Sequence, residues 1–190
     1  DYWQLWNEPN NRQEWPGFGS GDIFTLTPSY VSNAYNAVWK GVAGRAKIGP
    51  PPIDPYFGPN SDNSVWWRYI LDHIAEANAL FLHTKTQTNN VAEIRSLEKF
   101  GDWPLQWQYL HLNTVLTSLE MIPSRFRELP VFATEVNPQC KYVIGGETGW
   151  LPDNGGWVLK ASDYLRELGI DGIAFYRYEA AGDQTPFAME

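Results

Sequence analysis

The chain has 190 residues, 43% of them hydrophobic and 19% charged, which suits one globular domain with a real core. A net charge of −8 disfavours nucleic acid and anionic membrane surfaces as partners, because both need clustered Lys and Arg. The lone Cys140 excludes an intrachain disulfide framework and a Cys-rich zinc site, and it leaves a secreted and a cytoplasmic location both open.

No stretch of about 20 apolar residues marks a membrane span. No charged-then-apolar leader is visible either. The sequence starts at Asp1, not Met, directly ahead of a Trp-rich strand, and so reads as a processed or excised chain. Aromatic residues reach 15%, with ten Trp. About half of these are expected in the core and a few on a binding face, where the apolar C–H face of a sugar packs on a ring.

In chain order, Tyr2–Trp6 is an aromatic strand stopped at Asn7-Glu8-Pro9. A Gly/Asn/Pro-rich loop covers 9–26. Thr27-Pro28 is an N-cap with proline at the first helical position, and Val31, Ala34, Tyr35, Val38 and Val42 follow at helical spacing until Gly44. Ala46–Gly49 is a strand, closed by Pro50-Pro51-Pro52, and a second loop runs through Asn63. Val65–Ala77 is expected to be a helix with Trp66, Ile70, Ile74 and Ala77 on its inner face. Ala79–Leu82 is a strand ending at His83, and a polar loop covers 84–104. Leu112, Val115, Leu116 and Leu119 mark a third helix. Val131–Thr134 is a strand ending at Glu135, and 137–156 is expected to be a loop. Val158, Ala161, Leu165 and Leu168 mark a fourth helix, ended by Gly169, and Gly172–Tyr178 is the last strand.

This strict alternation predicts a parallel α/β sheet. Long Gly/Pro/Trp/Asn-rich connections follow each strand, while short ones follow each helix. That asymmetry is expected of a (β/α)8 barrel, whose site is built from the loops after the strands. No Gly-x-Gly-x-x-Gly follows any strand, so a dinucleotide site is not expected.

Polar or ionisable groups end four of the strands: Asn7 and Glu8, His83, Glu135, and the run Tyr176 to Glu179. A carboxylate in an apolar setting is costly without a partner or a task. Two of them at matching ends of separate strands point to paired-carboxylate chemistry.

Trp-Asn-Glu-Pro-Asn closing one strand and Ala-Thr-Glu-Val-Asn closing another resemble the large (β/α)8-barrel clan of retaining glycosidases that includes cellulases, mannanases and β-xylosidases. In that clan the acid/base Glu follows an Asn at the end of the fourth strand, and the nucleophile Glu ends the seventh. With Glu8 on the fourth strand, Glu135 falls on the seventh by count. The resemblance therefore implies a partial barrel, strands four to eight with four intervening helices, as a single incomplete catalytic domain over residues 1–190. It implies hydrolysis of O-glycosidic, β-linked bonds by a double displacement, with Glu8 giving a proton to the leaving oxygen and Glu135 attacking the anomeric carbon. It places Asn7 at the sugar 2-hydroxyl and His83 near the nucleophile. Tyr176 stands where many relatives carry a Trp floor for the sugar, with Arg177 and Tyr178 beside it. Asn137, Trp6 and Trp150 are further substrate-binding candidates, and Trp15 and Trp103 are candidates for stacking. The implied partner is an oligo- or polysaccharide, with no cofactor and no metal, since three scattered His form no ligand pattern.

Blander readings exist for each residue. Glu8 could be a polar loop residue before proline, Glu135 an ion-pair partner of Arg177, and His83 a satisfied core histidine. His73 and His111 read as surface or packing residues, and Trp3 and Trp66 as core. Five strands cannot close a barrel, and a parallel five-strand sheet would have two open edges. The chain is therefore expected to be a piece of a longer enzyme, a half barrel that pairs with another half or a second copy, or a non-catalytic carbohydrate-binding or assembly module. Alone it is expected to turn over weakly or not at all.

Overall fold

The computed structural model describes residues 1–12, 15–16, 25–42, 44–53, 62–86, 114–138, 141–144, 147–150 and 155–175. The elements are β1 (Tyr2–Gln4), α1 (Pro28–Val42), β2 (Lys47–Gly49), α2 (Asp62–His73), β3 (Leu80–Thr86), α3 (Thr114–Glu120), a 3-10 turn (Ser124–Phe126), β4 (Val131–Pro138), β5 (Lys141–Ile144), β6 (Glu147–Trp150), α4 (Gly155–Glu167) and β7 (Gly172–Phe175).

Strands β1 and β2 pair in parallel, and so do β3, β4 and β7 in that order. The two groups meet at Asn78, whose side-chain oxygen accepts from the Ile48 N–H at 3.0 Å and whose own N–H donates to the Ile48 carbonyl at 2.9 Å. The side chain stands in for a strand partner at the seam, so the order β1, β2, β3, β4, β7 runs on as one arc. This mixed α/β arrangement of parallel strands is what a sector of a barrel requires, and no closed barrel is present among the described residues.

Local signals account for most element ends. The Thr27 hydroxyl accepts from the Tyr30 N–H at 3.1 Å, ahead of Pro28 at the first helical position. Gly44 and Gly169 take φ of 79° and 87° beyond the ends of α1 and α4, a conformation glycine reaches without a Cβ penalty.

Several expectations are corrected. α2 stops at His73 instead of running to Ala77, and its inner face is Trp67, Ile70 and Leu71, with Ile74 just beyond. Trp66 is only partly buried, one position round from Trp67, which is 1% exposed and donates its indole N–H to the Ser118 carbonyl. Trp3 is 66% exposed, not core, because it sits on β1, which among the described residues pairs on one side only. The expected loop 137–156 contains the antiparallel pair β5–β6, which alternation of apolar residues does not announce. β3 and β4 run past His83 and Glu135, so these residues sit within the ladder. His73 is exposed, stacked 3.8 Å from Tyr69. His111 lies outside the described residues.

The outer layer packs α1, α2, α3 and α4 on the sheet through Tyr35, Trp67, Ile70, Leu71, Val115, Trp157 and Leu165. Burial, with a smaller contribution from the charge of Glu76, pushes the Tyr35 phenol well above its usual value, so it stays neutral. The C-terminal turn of α2 is satisfied from two sides. Arg125 donates to the carbonyls of Leu71, Ile74 and Ala75 at 2.7, 2.9 and 3.1 Å. Asn36 of α1 donates to the His73 carbonyl and accepts from the Ala75 N–H. A cation on the last carbonyls of a helix completes their hydrogen bonding and complements the helix dipole. Arg125→Ala is accordingly expected to lower stability by about 2 kcal/mol in urea unfolding, whereas Arg127→Ala, at an exposed position that bonds the 3-10 turn through its backbone alone, is expected to leave it within about 0.5 kcal/mol.

Candidate functional site

Below the site, the interior face of the arc carries aromatic rings. Tyr2 of β1 lies 5.2 Å from Phe132 of β4, which lies 5.8 Å from Phe81 of β3. Inward and outward residues alternate along each strand. Gln4 is therefore the next inward position on β1 after Tyr2, and His83 the next on β3 after Phe81.

On β4 simple alternation would fail. With Phe132 inward, Thr134 and Val136 would follow it, and Glu135 would face the helix layer. The structure resolves this with a bulge. On β3, Leu82 pairs with Ala133 and His83 with Glu135, which leaves Thr134 as an extra residue. The other neighbour, β7, shows the same shift between Ala133 and Val136. A one-residue bulge reverses the phase of everything after it. Glu135 therefore takes the inward phase of His83, while Val136 drops into the core at 0% exposure.

Glu8 reaches the same spot by a different device. Trp6 and Glu8 have φ of 74° and 36°, both in the left-handed region that bulky side chains avoid. Such backbone costs of order 1–3 kcal/mol each and persists only where the surroundings impose it. The turn is pinned by the Asn11 N–H donating to the Glu8 carbonyl at 2.8 Å and the Trp15 indole N–H donating to the Pro9 carbonyl at 2.8 Å. Trp15 thus has a structural hydrogen bond in this loop.

The three ionisable groups converge. Glu8 is 3% exposed and His83 4%, while the Glu135 side chain is 13% exposed. His83 Nδ1 lies 2.6 Å from Glu8 Oε1 and 3.6 Å from Glu135 Oε2. One oxygen from each carboxylate and the imidazole nitrogen all lie within 4.8 Å of one another. At 2.6 Å, Glu8 and His83 must share a proton in either tautomer. His83 was expected near Glu135, and its closer partner is Glu8. The second Glu8 oxygen, Oε2, accepts from Asn11 Nδ2 at 3.3 Å.

These side chains also have the donor types of a metal site. Two ligands on one tetrahedral zinc, each at about 2.0–2.1 Å from it, stand about 3.3 Å apart. The 2.6 Å Glu8–His83 contact is closer than that and has hydrogen-bond length. The residues as arranged therefore suit proton sharing better than ligation.

Asn7 is half-buried, with its side-chain oxygen accepting from Gln4 Nε2 at 3.2 Å. Trp6 is half-buried at the same turn. β4 and β6 carry the backbone of Asn137 and Trp150, whose side chains lie outside the described residues. Tyr176, Arg177, Tyr178 and Trp103 also lie outside them. Two residues at the site had not been singled out, Asn11 and Gln4. The signal for Gln4 was its polar side chain two positions after Tyr2, on the inward phase of an aromatic strand.

No protein-family model and no curated protein matches the sequence. Solved structures do match the fold. A variant of a GH128 (subgroup I) endo-β-1,3-glucanase from Amycolatopsis mediterranei, in complex with laminaripentaose, superposes with a TM-score of 0.54 at 11% identity, over 92% of this chain and 61% of that one. A glucosidase from Croceicoccus marinus superposes with a TM-score of 0.57 at 15% identity, over 95% of this chain and 33% of that one. The chain thus spans less than two thirds of the length of either neighbour. At these identities the likeness establishes the fold, a barrel-like α/β architecture shared with glycoside hydrolases.

Proposed function

We propose that this chain carries the catalytic pair of a retaining glycoside hydrolase acting on β-linked glucans, with Glu8 as acid/base and Glu135 as nucleophile. The observation that carries the reading is the approach of their oxygens to within 4.8 Å around a buried histidine. Retaining enzymes place their carboxyls about 5–5.5 Å apart, whereas inverting ones need about 6.5–9.5 Å to admit a water. The narrow gap favours direct attack by Glu135 over attack by a water.

In the first step Glu135 bonds to the anomeric carbon, while the proton shared by Glu8 and His83 passes through Glu8 to the leaving oxygen. In the second, Glu8 takes a proton from water, which attacks the same carbon and releases Glu135. His83 and Asn11 fix the Glu8 carboxyl through its two oxygens. Asn7, Trp6, Asn137, Trp150, Tyr176 and Tyr178 are assigned to the sugar. The fold neighbours include a glucanase bound to laminaripentaose, which makes a β-1,3-glucan the first substrate to try. Further barrel strands would pair along the edge of β1 that is open among the described residues, beside exposed Trp3.

The test is the anomeric configuration of the first product, followed by 1H NMR during hydrolysis of laminari-oligosaccharides and aryl β-glucosides. Initial release of the β-anomer is expected. Initial release of the α-anomer would overturn the retaining mechanism. Saturable binding of oligosaccharide with no product would leave a non-catalytic binding module instead.

A further inference from the structure

The bulge that aims Glu135 needs something to hold it, since an extra residue forfeits its place in the ladder. Thr134 is that residue, and its hydroxyl donates to Gln4 Oε1 across the interior at 2.6 Å. The other end of the same carboxamide donates twice, to the Trp6 carbonyl at 3.1 Å and to Asn7 Oδ1 at 3.2 Å. Trp6 is one of the two left-handed residues of the turn that presents Glu8. One side chain therefore touches the bulge beside Glu135, the strained turn before Glu8, and the Asn between them.

We propose that Gln4 is a positioning residue that clamps the bulge of β4 to the turn after β1, and so sets the relative placement of Glu8, Asn7 and Glu135. The inference rests on the catalytic reading of that pair. The chemistry selects glutamine. Thr134 needs an acceptor, whereas Trp6 O and Asn7 Oδ1 need donors, and a carboxamide offers both on one rigid plane. Asn7 is oriented in the same stroke. With Oδ1 accepting from Gln4, Asn7 has its Nδ2 protons to offer a sugar hydroxyl. Gln4 acts through its hydrogen bonds to Thr134, Trp6 and Asn7.

The variants separate the arms. Gln4→Glu keeps an acceptor for Thr134 and loses both donors. Thr134→Val loses the first arm alone, and Thr134→Ser keeps it. On aryl β-glucosides, Gln4→Met is expected to lower kcat by about 10- to 100-fold, the scale of an ångström-level misplacement, with KM changed by less than about 3-fold. Thr134→Val is expected to fall similarly and Thr134→Ser to retain activity. The Gln4→Met/Thr134→Val double variant is expected to be no worse than the poorer single, because both break one clamp. Unchanged kcat in Gln4→Met, a Thr134→Ser variant as impaired as Thr134→Val, or multiplicative losses would each overturn the clamp. A measurement without turnover separates its failure from that of the catalytic reading. The carboxamide 1H–15N signals of Gln4 and Asn7 are both expected to shift in Thr134→Val. Unmoved signals overturn the clamp whether or not the protein hydrolyses glycosides. Shifted signals with no hydrolysis by the wild-type protein would leave the clamp standing and end the catalytic reading.

Discussion

Glu135→Ala is expected to lower kcat/KM on every β-glucoside by about 10⁴-fold or more, the scale on which loss of a catalytic nucleophile falls. Glu8→Ala should behave differently, and the difference tests the assignment of roles. General acid catalysis is worth about 10²–10⁴-fold, but only where the leaving group needs a proton. Glucosides with poor leaving groups should lose that full factor. A 2,4-dinitrophenyl glucoside, whose phenolate departs unaided, should still form the glycosyl-enzyme and then stall for lack of a base. Added azide should restore its turnover as the β-glucosyl azide. Equal losses on good and poor leaving groups in Glu8→Ala, or undiminished hydrolysis by Glu135→Ala, would end the assignment. The stability of these variants bears on the same point. Glu8 combines near-complete burial with a second carboxyl close beside it. Each is unfavourable for folding, so a residue kept there for function should give a variant at least as stable as the wild type.

Gly49→Ala is expected to be the most damaging small substitution in the sheet. A Cβ at Gly49 would collide with the Ala79 carbonyl oxygen and lie 2.7 Å from the Phe81 ring. The first is backbone at the seam where Asn78 joins β2 to β3, so it cannot swing aside. Moving it would break the paired Asn78–Ile48 hydrogen bonds and displace Phe81, two residues below His83. A loss of about 3 kcal/mol in urea unfolding is expected, at the upper end of overpacking costs. At Gly172 the close atoms belong to the Phe132 ring and not to backbone, so the same change should cost less than at Gly49. Gly41, in α1 with nothing within 4 Å, provides the opposite sign, since Ala there should stabilise by about 0.5–1 kcal/mol. Wild-type stability in Gly49→Ala would mean that β2 and β3 are not this close.

The sequence made the alternation of strands and helices legible, with the caps Thr27, Gly44 and Gly169 and the placement of each Glu on or just after a parallel strand. These are local properties. Hydrophobic period, proline and glycine chemistry, and polar residues after apolar runs are written within a few positions of where they act. The inner face of α2 was missed by one position, because Trp66 and Trp67 fit the helical period equally well and only packing against Ser118 chooses between them. The β5–β6 pair was missed for a similar reason, since hairpin register depends on the facing strand.

At the site the division is sharper. Residue types at strand ends suggested two carboxylates, a histidine and an asparagine. Whether they could meet depended on the phase of β4, which Phe132, Ala133 and Thr134 alone would have set the wrong way. The bulge at Thr134 is defined against β3 and β7, and it is held by Gln4 from β1, 130 positions away in the chain. Likewise His83 shares its proton with Glu8, 75 positions distant, more closely than with the adjacent Glu135. Spacing along the chain carries the chemistry of each side chain but not the direction in which it points. Register between strands sets that direction, and register exists only once the strands have come together.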